Sequence, residues 1–275
     1  MKNVFIWRDS KIASIEKRKL EPIIEEIKKL RLLIYYTSFG ELHATLTNIS
    51  IQTLLSKGNY KGDILVFGDD YFINNNQFSV NVVKVKKELY HPCLLKVFYA
   101  DQIKAESYDQ IMFIDSDIEV TNDIYSLFQA KDKLLYCEEP YGIRRTFPKN
   151  YATANYGFTE EEFWKYGDKR VVNSGCFCID AKLFRRFIEE WRNIMLEHSL
   201  QWGSDQSGLN LLICRELIPS EPFKMFLIQL LHFFIEKKSA IMIHYVCETK
   251  NILLEKYGKE LRIENNFQNY SKIQG

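Results

Sequence analysis

Two rhythms of apolar and polar residues run along this chain. Residues 12–30, IASIEKRKLEPIIEEIKKL, set apolar positions three and four apart among many charges. That is the period of an amphipathic helix, with Pro22 opening a second helical turn or kinking the first. LLIYYTSFG (32–40) predicts a strand and turn, ELHATLTNISIQTLLSKG (41–58) a helix stopped by Gly58, and DILVFGDD (63–70) a second strand ending in carboxylates. NVVKVKK (81–87) alternates as a strand does, and HPCLLKVFYADQIKAES (91–107) predicts a helix with Pro92 in its first turn. IMFIDSDIEV (111–120) is the most strand-like stretch, apolar up to Asp115 and apolar again after Asp117.

Strands alternating with helices predict an α/β fold whose central sheet is mainly parallel and flanked by helices. Ligands of such sheets bind at the carboxyl ends of the strands. In the second half, LLYCEE (134–139) and VVNSGCFCID (171–180) predict strands on either side of a long polar and aromatic connection, 140–170. AKLFRRFIEEWRNIMLEH (181–198) predicts a helix, SDQSGLNLLICREL (204–217) another capped by Ser204, and AIMIHYVCETK (240–250) a last strand running into a loop. Phe223–Ile235 is the most apolar segment, interrupted by Lys224, Gln229 and His232 and too short to span a bilayer. It predicts a buried helix, the alternative being an interfacial helix at a membrane surface. Without repeats or linkers, one domain is expected across 1–275, with 1–30 a helical extension and 251–275 a C-terminal tail.

Composition narrows the classes. The 275 residues are 46% hydrophobic and 27% charged, enough to bury a sizeable core and unlike a disordered chain. Lys plus Arg (37) nearly balance Asp plus Glu (36), for a net charge of +1, so no nucleic-acid partner is expected. Cys93, Cys137, Cys176, Cys178, Cys214 and Cys247 form no C-x-x-C pair and suggest reduced, buried thiols. MKNVFIWRDSK lacks the apolar core of a signal peptide. The expected location is therefore cytoplasmic, with peripheral attachment to the inner face of a membrane left open.

The chemistry begins at Asp115 and Asp117. Two carboxylates flanking one residue at a strand end can face a common point if the strand bends there, and oxygen ligands suit Mg²⁺ or Mn²⁺. The plain alternative is a pair of solvated turn residues. His244 closes the apolar run AIMIH, and an O,O,N donor set suits Mn²⁺, although a histidine so placed is more often an ordinary core residue. Lys250, six residues on, offers positive charge where a phosphate would lie, or is an ordinary exposed lysine.

Four blocks in order now resemble glycosyltransferase family 8, which includes glycogenin and the lipopolysaccharide galactosyltransferases. YDQIMFIDSDIEVTNDIYSLF is similar to its D-x-D region, VVNSGCFCIDAKLFRRFIEEW to its Asn-(Ala/Ser)-Gly strand and helix, SDQSGLNLL to its D-Q-x-x-L-N block, and IHYVCETK to its terminal H-(F/Y)-x-G-x-x-K segment. The resemblance implies a GT-A fold, a nucleotide-sugar donor (usually a UDP-sugar), Mn²⁺, and transfer with retention of anomeric configuration. Residue by residue, it implies that Asp115, Asp117 and His244 are metal ligands and that Lys250 contacts the diphosphate. Lys96 matches a basic residue near the donor phosphates and sugar, and Asn173 the asparagine beside the donor sugar. Asp205 and Gln206 match the pair nearest the anomeric carbon, Tyr36 and Thr37 lie where the nucleoside is held, and Ser116 belongs to the donor-binding motif. Three departures are visible: Cys247 replaces a glycine, Asn251-Ile252 replaces Pro-Trp, and about thirty residues precede the first strand.

Retention needs either a covalent glycosyl-enzyme intermediate or attack on the leaving-group face. The second is expected here, with Asp205 and Gln206 positioning the sugar; the alternative for Asp205 is a charge complementing a helix dipole. The connection 140–170 carries four tyrosines, one tryptophan and the adjacent Arg144 and Arg145. It suggests an acceptor site or lid involving Tyr151 and Tyr156, or else a packed loop. The acceptor would be a glycan, a lipid-linked carrier or a protein. Competing classes are a metal-dependent nucleotidyltransferase, disfavoured by the lack of an early Gly-rich phosphate loop, and a non-catalytic sugar-nucleotide or carbohydrate binder of the same fold.

Overall fold

A computed structural model describes residues 21–74, 79–86, 92–146, 148–150, 152, 157–197, 204–223, 228–230, 240–246 and 249–257. Residues 21–27 form helix α1, followed by strand β1 (Leu32–Ser38), helix α2 (Glu41–Ser56), β2 (Asp63–Gly68) and β3 (Asn81–Lys84). After a short helix α3 (Leu95–Phe98) come β4 (Gln110–Ile114), β5 (Ile118–Val120) and β6 (Leu134–Gly142). Short helices α4 (Ile143–Thr146) and α5 (Glu160–Tyr166) lead to β7 (Arg170–Asp180), α6 (Ala181–Glu197) and α7 (Ser204–Cys214). The chain continues through β8 (Ser220–Pro222), β9 (Ile228–Leu230), β10 (Met242–His244) and α8 (Lys250–Tyr257).

The main sheet has the order β3-β2-β1-β4-β7-β6-β8. Its first four strands are parallel, β7 runs antiparallel to both neighbours, and β6 and β8 pair parallel. The unbroken apolar runs follow from covering both faces. Leu33, Tyr35, Ile111, Phe113, Phe177 and Ile179 face a core filled by Phe184, Phe187 and Trp191 of α6 and Leu209 and Leu212 of α7. Their neighbours Ile34, Tyr36, Met112, Ile114, Cys176 and Cys178 face the opposite core, where Ala44, Ile51 and Leu54 of α2 pack. A period of two on a sheet buried on both sides leaves no polar position to break the run.

Three sequence expectations are corrected. The segment 111–120 is not one strand: β4 ends at Ile114, and β5 joins β10 and β9 in a second, three-stranded sheet. The segment 91–107 is broken into α3 and 3-10 turns at Pro92–Leu94, Ala100–Gln102 and Ala105–Ser107, because burying Leu94, Val97, Ala100, Ile103 and Ala105 together overrides the local helical pattern. Within Phe223–Ile235, Ile228–Leu230 is a strand and not part of a helix; it pairs parallel with β10, whose other edge is taken by β5, and so satisfies the second row of β10 backbone groups. The remainder of that segment lies largely outside the described residues, as do Tyr151, Tyr156, Cys247, residues 1–20 of the extension and 258–275 of the tail. Ser204, expected as a cap, is the first residue of α7. Among the described residues no helix is long and apolar enough to cross a membrane.

Candidate active site

The break between β4 and β5 builds the site. Asp115 donates its backbone N–H to the carbonyl of Gly175 on β7 (2.8 Å), as a last contact with the main sheet. Ile118 then begins the second sheet opposite His244, and Tyr245 donates its N–H to the carbonyl of Asp117 (2.9 Å). This crossing places one donor atom each of Asp115, Asp117 and His244 within 4.8 Å of one another. His244 Nε2 lies 3.0 Å from Asp117 Oδ1 and 3.8 Å from Asp115 Oδ2. Asp117 and His244 are buried, while the Asp115 side chain is 30% exposed.

Gly175 is required by close approach. A Cβ there would lie 2.3 Å from His244 Cε1, 2.8 Å from Asp115 Oδ2 and 2.9 Å from Asn173 Oδ1. The glycine of the Asn-Ser-Gly sequence thus leaves room for two of the three donors. Two carboxylate oxygens and one imidazole nitrogen, converging beside a residue with no side chain, fit a divalent cation such as Mn²⁺ or Mg²⁺.

Two lysines frame this cluster. Lys250, the first residue of α8, has Nζ 3.1 Å from Asp117 Oδ2. Burial works to raise the pKa of Asp117, but His244 and Lys250 outweigh it and hold the carboxyl well below the usual range. Burial likewise works to lower Lys250, and Asp117 reverses it, so the ammonium is held above its ordinary value. Lys96, on α3, is nearly enclosed, with Nζ 2.9 Å from Asp205 Oδ2 and 3.4 Å from Asp115 Oδ1. It also donates to the carbonyl of Ser174 (3.2 Å) and lies 4.8 Å from the centre of the Phe113 ring. Burial opposes its charge, yet the flanking carboxylates Asp115 and Asp205 raise its pKa beyond the normal lysine range. Lys96 therefore bridges the Asp115–Asp117–His244 cluster and Asp205 from within the protein.

Asp205, in the first turn of α7, is fixed from several sides. Ser174 Oγ donates to its Oδ2 (2.6 Å), and Trp191 Nε1 donates to its carbonyl (2.8 Å). Asn210 ties α7 to β7: its amide accepts from Val172 N–H (2.9 Å) and donates to the Val172 carbonyl (3.0 Å) and the Gln206 carbonyl (2.7 Å). Gln206 Nε2 and Asn173 Nδ2 both donate to Glu139 Oε1, at 3.3 and 3.4 Å. Ser116 is buried, its hydroxyl 2.7 Å from His43 Nδ1. Thus Asp115, Asp117, His244, Lys250, Lys96 and Asp205 form one contact network, and Gln206 and Asn173 meet on Glu139.

Tyr36 stands apart. Its side chain is buried in the α2-side core and its hydroxyl accepts from Ser50 (3.3 Å), whereas Thr37, the next residue, is partly exposed near the carboxyl end of β1. Sequence reasoning passed over Glu139, His43, Ser174 and Glu119. Ser174 was readable within the Asn-Ser-Gly block; the other three become neighbours of the site only through long-range packing. Cys93 also lies in this electrostatic neighbourhood, but burial pushes its thiol up to about 12, so it offers no thiolate nucleophile near neutral pH.

No family model matches the sequence, and no curated protein matches it either. Solved structures do. An active-site variant of LgtC superimposes with a TM-score of 0.58 at 11% identity, over 82% of this chain and 95% of that one. The chain has the GT-A fold of LgtC. The galactosyltransferase LgtC in complex with donor and acceptor sugar analogues matches over the same shares, with a TM-score of 0.57 and 11% identity. The expected α/β architecture, a largely parallel sheet flanked by helices, is that of LgtC. The crossing of β4 into β5 is where this protein gathers its acidic pair on that fold.

Proposed function

We propose that the protein is a retaining glycosyltransferase that moves a sugar from a nucleotide-sugar donor, a UDP-sugar in the first instance, to a glycan, lipid-linked or protein acceptor. The observation that carries this reading is the convergence of Asp115, Asp117 and His244 at the sheet's carboxyl edge, flanked by Lys250 and the Lys96–Asp205 pair. The LgtC-like fold supports it. Asp115, Asp117 and His244 would hold Mn²⁺ (or Mg²⁺). A bound divalent cation supplies Lewis acidity to a departing diphosphate.

The chain's own residues define the rest. Lys250 Nζ, now on Asp117, is placed to share its charge with a diphosphate oxygen. Asp205 is oriented by Lys96 and the Ser174 hydroxyl, both on Oδ2. Same-face transfer is the assigned route, with Asp205 as a positioning group. Gln206 and Asn173, held by Glu139, present amides suited to sugar hydroxyls. Thr37 and Ser116 are assigned to the donor side; Tyr36 enters only through its backbone. Use of nucleotide sugars suits a cytoplasmic enzyme.

The test is incubation with Mn²⁺ and a panel of nucleotide sugars, monitoring free nucleoside diphosphate. Release from at least one donor, abolished by a chelator, is expected. No release, together with no metal-dependent nucleotide binding, would contradict the proposal.

A further inference from the structure

Glu119 is a fully enclosed carboxylate in the three-residue strand β5, opposite Ile243 of β10. Four side chains donate to it. Lys57, just beyond α2, reaches Oε1 at 2.9 Å, and Tyr245 reaches Oε2 at 2.8 Å. The other two come from the end of α8: Lys256 Nζ at 2.7 and 2.8 Å, and the Tyr257 hydroxyl at 2.5 Å. Burying one carboxylate with two ammonium groups is at best a modest source of stability, because desolvation offsets the attraction. What the cluster does achieve is placement.

Helix α8 has eight residues, too few to be stable alone. Leu253 and Tyr257 pack it into a small apolar cluster with Leu46, Ile49 and Ile243, Leu254 is partly buried beside them, and Ile252 is 48% exposed. It is attached at both ends to one stretch of chain: Lys250 meets Asp117, and Lys256 and Tyr257 meet Glu119. The six residues from Lys250 to Lys256 rise about 9 Å, and the two extended residues from Asp117 to Glu119 span about 7 Å. The two attachments therefore fix both the position and the direction of the helix.

We infer that Glu119 is a positioning residue that seats α8 so that Lys250 reaches the cation cluster and, with it, the diphosphate of the donor. Glu119 acts through the helix and touches neither cation nor donor. The diphosphate part of the inference rests on the functional reading above; the seating of α8 does not.

The experiment compares Glu119→Gln, Lys250→Met and the double variant with the native protein. Amide hydrogen exchange reads the seating directly. Glu119→Gln should speed exchange across 250–257 while β1 and β4 keep their native protection. Calorimetric titration with UDP in the presence of Mn²⁺ reads the consequence. Affinity should fall about ten- to hundredfold in Lys250→Met, fall similarly in Glu119→Gln, and fall no further in the double variant. Affinity for Mn²⁺ alone should stay within about twofold of native in Glu119→Gln, as an indirect role requires. Native protection of 250–257 in Glu119→Gln, or additive losses in the double variant, would overturn the inference. If the native protein fails to bind UDP with Mn²⁺, the donor reading falls, and the exchange result alone decides the seating. Should Glu119→Gln not fold, Lys256→Met takes its place with the same expected outcomes.

Discussion

Replacing Gly175 by alanine should destroy the cation site while leaving most of the fold in place. The added Cβ would stand 2.3 Å from His244 Cε1 and 2.8 Å from Asp115 Oδ2. Carbon atoms in contact prefer about 3.5–4.0 Å, so the imidazole must retreat by more than about 1 Å. Metal sites tolerate errors of about 0.2 Å in ligand distance, so a shift of that size removes His244 as a donor. Disturbing only the groups around metal ligands costs about 10–100-fold in affinity, and displacing a ligand should cost at least that much. The strain should also lower stability by about 1–3 kcal/mol, the range for overpacking. Titration of the purified protein with Mn²⁺ by calorimetry, beside a thermal melt, measures both effects without a substrate. A Gly175→Ala protein that is folded and binds Mn²⁺ as tightly as native would refute the geometric argument for the site.

Other expectations follow from individual contacts. Lys96→Met leaves the Asp115 and Asp205 carboxylates without the charge between them; it should cost about 3–5 kcal/mol in urea unfolding, and a loss under 1 kcal/mol would deny the bridge. Glu119 is held at about 2 against 4.5 in the unfolded chain: burial pushes it up, and Lys256, Tyr257, Lys57 and Tyr245 outweigh that effect. Its charge-dependent contribution should be present above pH 4.5 and lost as pH falls toward 2, where the folded carboxyl takes up its proton. Unfolding measured at several pH values should show a shallower acid dependence for Glu119→Gln; equal slopes would contradict the assignment. Tyr36→Phe removes a core hydroxyl contact with Ser50 and should cost about 1 kcal/mol. It should leave UDP affinity unchanged, and a weakened affinity would return Tyr36 to the nucleoside site.

What the sequence made legible follows from how local the cause was. β1, β4 and β7 are apolar runs because both sheet faces are covered, a pattern written into consecutive residues such as Leu33 and Ile34. The D-x-D pair and His244 were visible as candidates because they follow or close apolar strands, and Lys250 because it lies six residues beyond one of them. The break inside IMFIDSDIEV was not legible, since β5 leaves the main sheet to pair with a strand more than a hundred residues away. Nor was Glu119, which alternation along Ile118-Glu119-Val120 would turn to solvent, and which meets Lys57, just beyond α2, and Lys256 of the last helix. Lys96 was read as a group near the donor phosphates. Its enclosure between Asp205 and Asp115 depends on three distant segments meeting.

The central claim is that the Asp115–Asp117–His244 cluster carries metal-dependent sugar transfer. Nucleoside diphosphate release by native protein and by Asp115→Ala, each with and without Mn²⁺, tests it most directly. The native protein should turn over a nucleotide sugar only with the metal, and Asp115→Ala should be folded and inactive. Turnover by Asp115→Ala equal to native would contradict the account.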